Sequence, residues 1–374
     1  MSYQKPLVVK ADTIQSLPAA DMVNHGDFPD WDTDSLAWEQ TRQVFCMRAG
    51  AALAQTNQWA STFGSLSGTN KWFGGVLAPN GMIYGIPANS TTVLKINPTN
   101  DTAGTFGSLS SDTWKWTGGV LAPNGMIYGI PASSITVLKI NPTNDTVSTF
   151  GDLTGSSKWY GGVLAPNGMI YGIPVNSETV LKINPTNDTA STFGSLTTDT
   201  FKWFGGVLAP NGMIYGIPRN STTVLKINPT NNTVSTFGSL SGTWKWCGGV
   251  LAPNGMIYGI PANSTTVLKI DPTNDTVSTF GDLTGTYKWF GGALAPNGMI
   301  YGIPDTSAAV LKIDPTNDTA STFGSFGTAW CGGVLAPNGV IYGIPYNNTT
   351  VLRLLGDFDD VQLDCCLSRH FNKF

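Results

Sequence analysis

The chain has 374 residues, including 44 Gly and 23 Pro; 12% are charged, 41% apolar and 11% aromatic. Dense turns between short apolar segments exclude a helical bundle, a coiled coil and a disordered chain. A net charge of −4 without any basic run excludes the electrostatic footprint of a nucleic-acid or anionic-membrane binder.

Residues 1–57 read as an N-terminal arm. It begins irregular and acidic (Asp27, Asp30, Asp32, Asp34), then predicts a helix over 35–54 with Asp34 or Ser35 as N-cap. Phe28, Trp31, Trp38 and Phe45 lie outside any repeat and have the character of interface anchors for a partner. The apolar stretch at 6–9 is far shorter than the ~7–15 residues of a secretory leader core. No segment approaches the ~18 apolar residues of a membrane span. Five Cys, at 46, 247, 331, 365 and 366, suit no disulfide framework. The expected compartment is therefore reducing, cytosol or organelle interior.

From residue 58 onward a repeat organises the chain. The phrase Gly-Gly-Val-Leu-Ala-Pro-Asn-Gly begins at Gly74, Gly118, Gly161, Gly205, Gly248, Gly291 and Gly332, with Ala293 replacing Val once. A spacing of ~40–45 residues is that of a four-stranded propeller blade. In the first copy, strands are predicted at 71–78, 82–86, 92–96 and 102–106, separated by Pro79-Asn80-Gly81, Pro87-Ala88-Asn89-Ser90 and Asn97-Pro98-Thr99-Asn100-Asp101. The second and third are apolar almost without alternation, as sheets buried on both faces require; the fourth is rich in Ser, Thr and Gly, as an outer rim requires.

The seventh copy stops after Leu354, before its fourth strand. Residues 59–65, Trp-Ala-Ser-Thr-Phe-Gly-Ser, match the fourth strand at 189–195, so the start of the ring is expected to complete its last blade. Closure leaves no end blade with an exposed apolar face. The expectation is an all-β, seven-bladed β-propeller over 58–355, with the helical arm before it and a C-terminal tail, 356–374, after it.

The cadence Val-Leu-Ala-Pro-Asn-Gly, Ile-Tyr, Val-Leu-Lys-Ile-Asn-Pro-Thr-Asn-Asp-Thr resembles YVTN-type propeller repeats, relatives of the WD-repeat class, over roughly 58–355. The resemblance implies the fold; for function it implies binding scaffolds, surface proteins and a few lactonase-like enzymes alike. The signature dipeptide of the WD repeat is absent.

Strand one opens with Lys71-Trp72, Lys115-Trp116, Lys158-Trp159, Lys202-Trp203, Lys245-Trp246, Lys288-Trp289 and Ala329-Trp330. Two residues before these tryptophans the copies differ, with Trp114, Phe201, Trp244 and Tyr287 on four blades. These residues belong to the loop face, the expected working surface. Two readings stand. The indoles stack on sugar rings or another planar ligand, or they pack between blades while each Lys lies across an aromatic.

Asn-X-Ser/Thr triplets (Asn89, Asn100, Asn144, Asn220, Asn263, Asn317, Asn348) read as turn residues rather than glycan sites. Cys247 and Cys331, two blades apart, read as buried space-fillers. Cys365 and Cys366 with His370 lack the donor set of a metal site, and no cofactor is expected. The acids Asp101, Asp145, Asp188, Asp275 and Asp318 occupy turns on the opposite face, and both His, at 25 and 370, lie outside the ring. No blade-specific polar cluster is evident, so no enzyme is expected. The preferred function is a non-catalytic scaffold, an accessory subunit of a larger protein assembly held through arm and tail. The alternative is a multivalent, lectin-like carbohydrate binder using the Trp-ring face.

Overall fold

The computed structural model describes residues 60–355; the arm with its expected helix, and the tail, lie outside the described residues. Its 28 strands, numbered β1 to β28 in chain order, form seven four-stranded antiparallel sheets. β1 (Ala60–Phe63) precedes a first whole blade of β2 (Trp72–Leu77), β3 (Ile83–Pro87), β4 (Val93–Asn97) and β5 (Thr102–Phe106). Both ends of the first three strands move by one residue from the predicted positions, and three of these shifts have a visible cause. Asn80 Oδ1 accepts the Met82 N–H at 3.0 Å, which keeps Met82 in the turn. Ser90 Oγ accepts the Thr92 N–H at 3.1 Å, so β4 starts one residue later. Pro87 extends β3 because it lies opposite Trp72.

Ile83, Tyr84, Ile86, Val93, Leu94 and Ile96 are fully buried. Their partners come from two blades at once: Tyr84, Ile86 and Val93 pack with Trp116, Ile127 and Leu138 of the next. An apolar strand exposed on neither face explains the missing alternation, each large side chain contributing about 1.5–3 kcal/mol.

The paired glycines have a geometric cause. Between β2 and β3 the register slips by one residue between Trp72 and Gly75, a bulge in which Gly74 adopts φ +75°. A Cβ on Gly74 would lie 3.4 Å from the Gly118 Cα, and the chain of approaches runs on through Gly161, Gly205, Gly248, Gly291 and Gly332 back to Gly74. Seven backbones thus meet around one axis at a distance only glycine permits. The bulge also re-aims the residue before each such glycine. Phe73, Tyr160, Phe204, Cys247 and Cys331 form one buried cluster that plugs the axis.

β1 pairs with β28 (Val351–Leu354) from Ala60↔Leu354 to Phe63↔Val351, alongside β27 (Ile341–Pro345) and β26 (Trp330–Leu335). The first strand therefore completes the last sheet. The chain is a seven-bladed β-propeller.

Polar locks join the blades on the face carrying the Pro-Asn-Gly hairpins. Tyr84 Oη donates to Asp145 Oδ1 of the next blade at 3.0 Å, Lys95 Nζ meets Oδ2 at 2.6 Å, and Asn80 Nδ2 donates to the Pro142 carbonyl at 2.8 Å. Asp145 sits at φ +54°, a conformation that Asp and Asn tolerate. The lock recurs on Asp188, Asp275 and Asp318, with Asn232 in the acid's place at one junction. The turn acids are thus junction residues, on the expected face.

Candidate functional site

The seven strand-one tryptophans are 1–3% exposed. Each indole Nε1 donates to a carbonyl twenty residues on, Trp72 to Thr92 and Trp203 to Thr223 for example. The six lysines are equally buried. Lys158 Nζ donates to the Ala132, Ser134 and Gly155 carbonyls at 2.8–2.9 Å, the first two from the preceding blade. It lies 5.7 Å from the Trp159 ring. Lys245 and Lys288 repeat the pattern, and burial pushes all three ammonium groups down to about 8. Lys71, Lys115 and Lys202 likewise bind loop carbonyls. The Lys-Trp pair is thus an inter-blade clamp whose indole faces are covered, and stacking a sugar on them would require a blade to open.

The residues before these lysines are placed differently. Trp114, Phe201, Trp244 and Tyr287 have φ of +49° to +54°. A left-handed backbone is costly for a bulky side chain, about 1–3 kcal/mol, and Asn70 fills the same position in the first blade without that strain. Each strained residue is held by an Asn of the preceding blade: Asn89 Oδ1 accepts the Trp114 N–H, Asn176 that of Phe201, Asn220 that of Trp244 and Asn263 that of Tyr287. Phe201, Trp244 and Tyr287 run as a contiguous aromatic arc, with ring centroids 5.3 and 5.5 Å apart. Tyr287 is 41% exposed. On the blades either side of blade one, Trp114 meets Tyr346 at 6.1 Å.

The residue after each Ile-Pro faces the same mouth. It is Ala88, Ala132, Val175, Arg219, Ala262, Asp305 and Tyr346 in turn. Here the structure corrects the reading that no blade-specific polar cluster breaks the symmetry. Arg219 is 5% exposed, its guanidinium 3.5 Å from the Trp244 centroid and 4.3 Å from that of Phe204. Its Nε is buried without a hydrogen-bond partner. Burial pushes the Asp305 carboxyl up to about 6, the Arg219 charge opposing that rise without forming an ion pair. Burial also raises Tyr346 and Tyr160, and the Asp305 charge adds to the rise at Tyr346. The signal in the sequence was the position after Ile-Pro, where a charge replaces the usual small or apolar residue in two copies.

Cys247 and Cys331 are free, buried thiols in the plug below, and burial pushes Cys247 up to about 11. Two grooves lie elsewhere on the loop face. One of about 700 Å³ is lined by Asp199, Trp203, Asn220 and Ser221; another of about 440 Å³, one blade earlier, by Asp152, Trp159, Asn176 and Glu178. Among the described residues no group of three His, Cys, Asp or Glu could hold a metal, and no helix is long and apolar enough to cross a membrane. The arm aromatics Phe28, Trp31, Trp38 and Phe45, with Cys365, Cys366 and His370, lie outside the described residues.

Residues 165–329 match a family described as a repeat of unknown function (DUF6923). No curated protein matches the chain. Among solved structures the chain is similar to a streptogramin B lyase (TM-score 0.69, 11% identity, 79% of this chain and 96% of that one). It is similar also to virginiamycin B lyase from Staphylococcus aureus (0.68, 10%, 79% and 98%). A third is the hydrazine synthase of Kuenenia stuttgartiensis (0.61, 15%, 78% and 98%). At such identities the likeness is one of fold.

Proposed function

We propose that this protein is a non-catalytic interaction module that engages its partner with the loop face, around the axial mouth. One observation carries the reading. The strained aromatic arc of Phe201, Trp244 and Tyr287 and the buried Arg219 break the repeat there, whereas the polar groups of the opposite face are engaged in inter-blade locks. A backbone conformation unfavourable to these side chains is retained where they serve recognition. A catalytically inactive virginiamycin B lyase is a histidine-to-alanine variant, and residues 60–355 of this chain contain no histidine, which supports a role other than lyase chemistry.

In this role the protein serves as an accessory subunit of a larger assembly, with residues 1–57 and 356–374 as further attachment points, in a reducing compartment that keeps Cys247 and Cys331 as thiols. The test is the native mass of the complex purified with the full chain. Replacing Phe201, Trp244 and Tyr287 with Ser should release the partner from a chain that still folds and unfolds cooperatively, and deleting residues 1–54 should weaken retention. A triple variant that keeps every partner defeats the reading.

A second reading has its own observation. Equivalent grooves on successive blades, lined by Ser, Thr, Asn and acidic side chains beside the buried Trp159 and Trp203, suit weak multivalent hydrogen bonding to carbohydrate without stacking on the indoles. Titration with a glycan panel that saturates at several ligands per chain would favour it.

A further inference from the structure

The axial mouth holds an arginine whose burial the fold does not explain. Blades one, two and five place Ala88, Ala132 and Ala262 where blade four places Arg219, so no packing rule of the repeat demands a long cation there. Stacking on Trp244 and Phe204 positions the guanidinium and offsets part of its desolvation. Its side chain makes no hydrogen bond or ion pair among the described residues, and Nε is wholly shielded. A buried cation left so is costly unless a counter-charge arrives. Its backbone is pinned, Arg219 N–H donating to the Lys202 carbonyl at 2.9 Å and its own carbonyl accepting from Lys245 N–H at 3.0 Å.

Two blades on, Asp305 is pinned in the same way, by Lys288 O and by the Ala329 N–H. The Arg219 charge is felt at Asp305, but the two side chains do not pair. Between them lies Ala262, and the aromatic arc of Phe201, Trp244 and Tyr287 flanks the gap. An acceptor-seeking cation, a donor-seeking carboxylate and flat apolar rings thus share the loop-side rim of the axial plug.

We propose that the axial mouth binds a carboxylate that carries an adjacent N–H donor and an aromatic ring, Arg219 taking the carboxylate, Asp305 the donor and the arc the ring. A free aromatic amino acid has this chemistry, and so does the C-terminal aromatic residue of a polypeptide. The assignment rests on the loop face being the working surface and adds the ligand's class to it.

The test is calorimetric titration of the full chain with L-phenylalanine, N-acetyl-phenylalanine, N-acetyl-phenylalaninamide, and a pentapeptide ending in Phe as free acid and as amide. The acids should bind at least about tenfold tighter than the amides. Arg219→Ala, which installs the residue natural to three other blades, should abolish that preference. Asp305→Ala should weaken L-phenylalanine more than its N-acetyl form. Binding of the free amino acid alone identifies a small-molecule ligand; binding of the peptide acid alone identifies a polypeptide terminus. Acids and amides binding equally to the unmodified chain, or no probe binding at millimolar concentration, overturns the assignment. If no probe binds while the Phe201, Trp244 and Tyr287 substitutions still release the partner, the ligand class falls and the interaction role stands.

Discussion

Tyr342, in the last repeat, donates its hydroxyl to Asp101 of the first at 2.8 Å. Arg353 Nε lies 3.0 Å from the other carboxylate oxygen, close enough for ion pairing though not aligned as a hydrogen bond. The ring is thus shut by the same lock that joins its interior blades. Asp101→Ala should destabilise the propeller by about 1–2 kcal/mol, most of it from the buried tyrosine hydroxyl, since a half-exposed ion pair contributes little. Denaturant unfolding would show a lower midpoint with an unchanged slope; an unmoved midpoint would remove the lock from the stability account.

The junction at Asn232 allows the opposite experiment. Tyr171 and Lys182 reach its amide oxygen at 3.3 and 3.1 Å, longer than the 2.6 Å between Lys95 and Asp145. Asn232→Asp should stabilise by about 0.5–1 kcal/mol at pH 7. Asp188, in the equivalent lock, has its carboxyl held below the usual value: burial pushes upward, and the bonds from Lys139 and Tyr128 prevail. A depressed carboxyl stabilises above its unfolded value and loses that contribution as pH falls through the folded one. The gain at position 232 should therefore fade as pH falls below the ordinary carboxylate range. A gain that persists there would point to a cause other than charge.

The axial glycines separate two penalties. Gly118 has φ +75° and its added Cβ would lie 3.0 Å from the Gly161 Cα; Gly125 has φ +79° with nothing within 4 Å. Gly125→Ala should cost about 1 kcal/mol, from the backbone alone. Gly118→Ala should cost about 2–4 kcal/mol, since a neighbouring main chain must also give way. Comparable melting temperatures for the two variants would refute close packing at the axis.

How much of this was legible beforehand differs between scaffold and site. The spacing of Gly74, Gly118 and their successors announced the blades, and the match of residues 59–65 to 189–195 announced the closure, because pairing register depends on local chain pattern. The role of Lys158 and Trp159 was not decidable, since the same dipeptide serves an exposed platform or a clamp; three carbonyls from two blades make it a clamp. Arg219 and Asp305 escaped notice because they lie 86 residues apart in copies two blades removed, and only the equivalence of the position after Ile-Pro puts them on one face.

Asp305 makes the mouth sensitive to acidity. With its carboxyl raised to about 6 by burial, the folded state holds its proton where the unfolded state has released it. Stability from this group is therefore greatest below about pH 4 and declines as pH rises through about 6. Solvent at the mouth limits the change to about 1–2 kcal/mol. Thermal melts of the native chain and Asp305→Asn should diverge between those values, the variant gaining as pH increases; parallel curves would place the carboxyl in water.

Removal of the closing strand tests the ring itself. A chain beginning at residue 58 should unfold as one cooperative unit, whereas one beginning at residue 66 loses the four pairs from Ala60 to Phe63. It should melt lower and bind a hydrophobic dye. Identical melts would mean that β1 is dispensable.

Each interior unit carries a tyrosine-lysine grip for the unit after it and a turn acid or amide for the grip of the unit before it. An internal duplication or loss of a whole unit would leave every neighbour chemically matched, so length variation of this kind meets no resistance at the periphery. Resistance comes from the hub, where seven glycines touch and an eighth would open a hole that Phe73 and its companions are too few to fill.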